Sequence, residues 1–192
     1  MMDIVANVSD TILQTLPVDK PISVVGENIV LQIENINISS IDFPKNKSSD
    51  IKSAVFFSKE TVENSLNVTD SVKYSAAYYK TLGKFFHQGL TKEEIGSPIL
   101  AFSVPDGDIL KKLDPPVRMT FETKETNLTE RQCSYWNTKL ANGGGWAGDG
   151  CHASFVNETF TECKCDHLTN FAVLISVKEI TKEHHDIMSQ YR

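Results

Sequence analysis

Residues 133–177 read CSYWNTKLANGGGWAGDGCHASFVNETFTECKCDHLTNFAVLISV, and the reading of the whole chain turns on this stretch. All four cysteines of the 192-residue chain, Cys133, Cys151, Cys163 and Cys165, fall in one 33-residue window, while the first 132 residues have none. An even, clustered set is the usage of an oxidised extracellular module. Zinc is the rival reading, with His152 or His167 recruited, but structural zinc favours two or more residues between neighbouring cysteines and Cys163-Lys-Cys165 has one. Disulfides are the better reading, and the sequence leaves all three pairings open. At the end of the stretch, Phe171, Val173, Ile175 and Val177 fall on one side of an extended segment and Ala172 and Leu174 on the other. Apolar residues on both faces predict a central, doubly buried strand.

Outward from this window, chemistry again points outside the cell. Asn-x-Ser/Thr acceptor triplets begin at Asn7, Asn37, Asn46, Asn67, Asn127 and Asn157. With 12 Asn and Ser plus Thr near one residue in six, chance predicts about two, so six is an excess that predicts a glycoprotein. The start, Met1-Met2-Asp3-Ile4, has no basic leader or apolar signal core, and no apolar run approaches the roughly 20 residues that span a bilayer. Oxidised features without an export signal are expected of a segment of a larger secreted or membrane-anchored precursor. A formal charge of −6 argues against nucleic acid, which needs a basic face.

Val5, Val8, Ile12 and Leu16 recur at helical intervals, predicting one amphipathic helix over residues 3–16 that ends before Pro17 and Pro21. Strand follows strand thereafter. Ile29, Leu31 and Ile33 alternate, then Ile36 and Ile38 change phase, predicting a bulge near Asn35. Further extended segments are expected at 53–57, 74–79, 99–104, 117–123, 132–136, 151–156, 159–164 and 171–177, with a polar loop at 43–49 and a short helical turn within 81–88. Turn chemistry separates them: Pro105-Asp106-Gly107, Asp114-Pro115-Pro116, and Asn142 followed by three glycines. Many short strands divided by such turns predict a mainly β fold, an antiparallel sandwich. The polar tail 179–192, with His184-His185, reads as a linker rather than a metal site.

Cys133-Ser-Tyr-Trp136, Gly-Gly-Trp146, Gly150-Cys151, Cys163-Lys-Cys165 and His167-Leu-Thr-Asn-Phe171 together resemble the proteolysis-site (GPS) motif of adhesion G-protein-coupled receptors, which polycystin-1-like proteins also carry. Upstream, Tyr78-Tyr79-Lys-Thr-Leu82-Gly83-Lys-Phe85-Phe86 and Ser97-Pro98-Ile-Leu-Ala-Phe-Ser-Val104 resemble the preceding strands of the larger autoproteolysis-inducing (GAIN) domain. The resemblance implies a remnant helix of the family's helical subdomain in residues 1–20, GAIN subdomain B over 21–178 with the motif at 133–178, and a linker over 179–192. It implies the pairings Cys133–Cys163 and Cys151–Cys165. Trp136 and Trp146 are expected as core anchors against those bridges.

The same resemblance implies self-cleavage between Leu168 and Thr169. Thr169 carries a hydroxyl one residue after the scissile carbonyl, so attack on Leu168 closes a five-membered ring, and His167 is suited to take the proton. Oriented intramolecular attack reaches effective molarities of about 10⁵–10⁸ M, so a neutral alcohol suffices. Thr169, Asn170, Phe171, Ala172, Val173, Leu174 and Ile175 are then the tethered agonist, departing from the family only at Ile175, where Met is frequent. The implied partners are the chain's own C-terminal fragment and the seven-helix domain of its parent, at the outer face of the plasma membrane, with no cofactor and no metal. The competing expectations are a non-cleaving extracellular binding module and a conventional hydrolase. The hydrolase is weaker, since the cysteines serve as bridges and the sequence presents no acid–base pair with an acidic orienter.

Overall fold

In a computed structural model of the chain, the described residues are 2–45, 51–65, 70–85, 93–105, 112–123, 129–140 and 143–177. The first element, α1 (Met2–Thr15), packs Leu13 on Ile33, where Leu16 just past its end joins them, and leaves Ile4 and Val8 exposed. Asn35 donates from Nδ2 to the carbonyl of Leu16 (2.9 Å), satisfying an acceptor that the end of a helix otherwise leaves open.

The strands are β1 (Ile22–Val25), β2 (Ile29–Asn37), β3 (Ile41–Phe43), β4 (Ala54–Phe57), β5 (Ser71–Tyr79), β6 (Glu93–Ile95), β7 (Ile99–Ser103), β8 (Val117–Glu122), β9 (Thr129–Asn137), β10 (Gly145–Ala147), β11 (Cys151–Val156), β12 (Phe160–Cys165) and β13 (Asn170–Val177). A short helix, α2 (Lys59–Ser65), and a 3₁₀ turn (Leu82–Phe85) interrupt them. The larger sheet runs β1-β2-β5-β7-β13-β9-β10 with β6 also on β13, and the smaller runs β11-β12-β8-β4-β3. Every pairing is antiparallel. The fold is therefore the expected sandwich, with the main core between the sheets and α1 laid on the outer face of the larger one.

The predicted bulge near Asn35 is not there. β2 pairs with β5 in unbroken register from Ile29↔Tyr79 to Asn37↔Ser71. The apparent change of phase has another cause: both faces of β2 are covered. Leu31 and Ile33 face α1, while Val30 and Ile36 face the main core, with Gln32 and Glu34 between them on that side. Those two polar residues are buried because they satisfy one another. Glu34 accepts from Gln32 Nε2 (2.7 Å), from the Tyr74 hydroxyl and from Lys45.

Both disulfides form with the pairing that the resemblance implied, Cys133–Cys163 and Cys151–Cys165. The first joins β9 to β12 and so ties one sheet to the other; the second closes the β11–β12 hairpin. The tryptophans are a correction. Residues on β9 alternate in facing, so Cys133 enters the main core while Trp136 faces outward. Trp136 and Trp146 meet edge to face (5.6 Å, 75°) on the α1 side of the sheet, not against the bridges.

Candidate autoproteolytic site

β12 ends at Cys165 and β13 begins at Asn170, so four residues, Asp166 to Thr169, make the connection. Backbone hydrogen bonds hold both of its ends. Asp166 N–H donates to Gly150 O (3.0 Å), Leu113 N–H donates to Asp166 O (2.7 Å), and Phe102 N–H donates to Thr169 O (3.1 Å). Leu168 is buried in the main core, which anchors the carbonyl-bearing residue between two fixed neighbours.

An open cleft of about 380 Å³ runs past His167, Leu168 and Thr169, between Trp136–Lys139 and Asp149. On the other side, Leu168, Thr169 and Asn170 border a second hollow of about 250 Å³ beneath Met2 and Val5 of α1. The Thr169 hydroxyl donates to the carbonyl of Trp136 (3.2 Å). The His167 ring stands edge-on to Tyr135 (centroids 4.2 Å apart, 70°) and 5.8 Å from Phe171. Its Nδ1 lies 3.1 Å from Asp166 Oδ1, and its Nε2 is buried with no hydrogen-bond partner among the described residues. In this state the threonine hydroxyl is engaged by a backbone carbonyl rather than by the imidazole.

The Tyr135 hydroxyl donates to Asp149 (2.8 Å) and accepts from Asn137 (3.3 Å); burial first, then the Asp149 carboxylate, raise it above the ordinary tyrosine range and keep it a donor. Asp166 was not among the expected site residues, although it directly precedes His167. An aspartate beside a histidine in sequence becomes its partner only when the backbone turns both side chains the same way, and the 166–169 connection does so.

The segment Thr169–Ile175 enters the middle of the larger sheet. β13 pairs along Phe171–Val177 with β9, and on its other side with β7 at Asn170–Phe171 and β6 at Leu174–Ser176. Phe171, Val173 and Ile175 point into the main core, Ala172 and Leu174 into the α1 side. Of the glycosylation acceptors, Asn7, Asn37 and Asn157 are exposed, and Asn46, Asn67 and Asn127 lie outside the described residues, as do His184 and His185. Among the described residues no group of His, Cys, Asp and Glu is arranged to hold a metal.

Comparison with known proteins places this arrangement. The family model described as "GPS: GAIN subdomain B" matches residues 21–179. The chain belongs to that family. Cadherin EGF LAG seven-pass G-type receptor 2 of Rattus norvegicus is 39% identical over 88 residues, 43% of this chain and 4% of the receptor. Adhesion G-protein coupled receptor G1 of Danio rerio is 32% identical over 114 residues, 59% of this chain and 17% of the receptor. Adhesion G protein-coupled receptor L1 of Homo sapiens is 27% identical over 176 residues, 80% of this chain and 12% of the receptor. The chain thus spans less than a fifth of these curated relatives. The structure of the full extracellular region of zebrafish Gpr126/Adgrg6 shares the fold, with a TM-score of 0.58 at 21% identity over 88% of this chain and 26% of that one.

Proposed function

We propose that this chain is the extracellular, membrane-proximal part of an adhesion-type seven-helix receptor, and that it cuts its own backbone once between Leu168 and Thr169. Thr169 Oγ1 attacks the Leu168 carbonyl carbon while His167 takes the hydroxyl proton. The tetrahedral species collapses as the Leu168–Thr169 C–N bond breaks, the nitrogen leaves protonated as an amine, and an ester remains. Water then adds to the ester, giving a Leu168 carboxylate and a Thr169 amino terminus. The protein acts on itself and turns over no external substrate.

The observation that carries this reading is the shared position of three groups. His167, Leu168 and Thr169 line one open cleft on a connection fixed at both ends, which supports intramolecular attack after rotation of the Thr169 side chain and leaves a path for water to the ester. The cut end then remains seated, since β13 is paired on both sides and its apolar side chains are buried. At about 1.5–3 kcal/mol for each large buried side chain, retention is worth on the order of 10 kcal/mol as an upper estimate. Residues 169–175 are in this reading the tethered agonist, released when the parent is pulled or rearranged.

A second reading, a non-cleaving module with the same fold, is favoured by one contact: the Thr169 hydroxyl rests on the Trp136 carbonyl, so attack needs a side-chain rotation first. A denaturing gel of the oxidised protein separates the two. Self-cleavage predicts fragments of 168 and 24 residues, retained in Thr169→Ser and absent in Thr169→Ala. A single full-length band in every variant selects the inert module.

A further inference from the structure

We infer that Asp166 is the positioning residue that holds His167 in the Nδ1–H tautomer, leaving Nε2 as the proton acceptor for Thr169. The inference rests on the self-cleavage reading for its purpose, but its structural content stands apart from it.

A neutral imidazole has one N–H and one lone pair, and the partner of one nitrogen decides the state of the other. Among the described residues, only Nδ1 has a partner. It faces the Asp166 carboxylate at 3.1 Å, an acceptor that cannot donate, so Nδ1 carries the hydrogen. Nε2 is left with its lone pair, buried and without a hydrogen-bond partner among the described residues. A buried, unpartnered acceptor is costly in a core and is retained where it has a task. Reversal of the tautomer would put a lone pair against a carboxylate and leave Nε2 with an idle N–H.

The surroundings hold Asp166 for this contact. Its backbone is bonded on both sides, to Gly150 and Leu113, and its second oxygen lies 3.7 Å from Lys112 Nζ. Gly150, at φ +75°, gives the pair room: a Cβ there would stand 3.0 Å from His167 Nδ1 and press on Asp166 Oδ1. Tyr135 packs against the ring in a T-shaped contact, with centroids 4.2 Å apart. The operative feature is a carboxylate at position 166, an acceptor with no hydrogen of its own to donate.

The test pairs a spectroscopic readout with a kinetic one. In uncut Thr169→Ala protein labelled with ¹⁵N-histidine, long-range ¹H–¹⁵N spectra at alkaline pH, where an ordinary imidazole is neutral, report the His167 tautomer. The Nδ1–H form is expected with Asp166 and is expected to be lost in Asp166→Leu and in Asp166→Asn, which keeps the shape but can turn its amide N–H onto Nδ1. In the Thr169 background, pulse–chase measurement of fragment appearance is expected to slow by about a hundred-fold in Asp166→Leu and in Asp166→Asn. An Nε2–H tautomer in the parent, or a Leu or Asn variant with unchanged tautomer or unchanged cleavage rate, overturns the inference. Should the Thr169 chain never cut, self-cleavage fails, and the tautomer spectra still decide the role of Asp166.

Discussion

Two single residues in this protein sit where substitution meets a definite physical obstacle. At Gly150 the backbone has φ +75°, a region that favours glycine, and the space a Cβ would take belongs to the Asp166–His167 pair. Gly150→Ala is expected to cost about 1–3 kcal/mol in denaturant unfolding and to slow fragment formation, because the pair must move to admit the methyl group. Tyr74 presents a different constraint. Burial, then the Glu34 carboxylate it donates to, push its hydroxyl far above the ordinary tyrosine range. A folded-state value above the unfolded one contributes stability that is present at neutral pH and is lost as pH rises past about 10, where the unfolded chain ionises first. Tyr74→Phe is therefore expected to lower stability at pH 7 by about 1–2 kcal/mol while shallowing the alkaline decline, measured by urea titrations at both ends of that range.

At the scale of elements, the seat of β13 is uneven. On the β9 side the ladder is continuous; on the other side β6 and β7 are separated by Gly96-Ser97-Pro98. Proline has no N–H to offer a ladder, and the gap is bridged locally: Gly96 N–H donates to Val173 O (2.9 Å), and Ser97 Oγ accepts from Val173 N–H (2.9 Å). Gly96 itself must lack a side chain, since a Cβ would come within 2.5 Å of Ile175 Cγ2. Ser97→Ala leaves the buried Val173 N–H without its acceptor, which is expected to cost about 1–3 kcal/mol. After cleavage the same loss is expected to shorten the lifetime of the fragment pair by a factor of ten or more, read by the rate at which labelled 169–192 fragment exchanges; an unchanged rate would place the holding force elsewhere.

For the whole molecule, the two bridges do different work. Cys133–Cys163 connects the sheets across the core, whereas Cys151–Cys165 staples one hairpin next to the 166–169 connection. Loop-closure estimates give roughly 3–4 kcal/mol to each, a large part of the 5–15 kcal/mol that holds a domain folded. Cys133→Ala with Cys163→Ala is expected to lower the melting temperature and loosen sheet-on-sheet packing. Cys151→Ala with Cys165→Ala is expected to impair cleavage more than melting, because Cys165 adjoins Asp166. Thermal melts and gel densitometry on the two double variants check this; equal effects on both readouts would refute the division. In native size-exclusion chromatography the cut protein is expected to elute as one species and to separate only on denaturation.

Much of this was legible in residue order alone. The window 133–177 determined the oxidised class, the central strand and the family, because cysteine spacing, glycine turns and two-sided apolar alternation are local properties of a string. The same locality explains the misreadings. The Ile33–Ile36 phase change resembles a bulge because a string does not say that α1 covers the second face of β2, and the expectation for Trp136 fails because a residue three places from Cys133 on one strand faces the opposite side of the sheet. Tertiary structure alone decided that Asp166 turns onto His167 and that Thr169 rests on Trp136. Those contacts depend on the direction of side chains brought together by distant strands, and direction is set by packing in three dimensions.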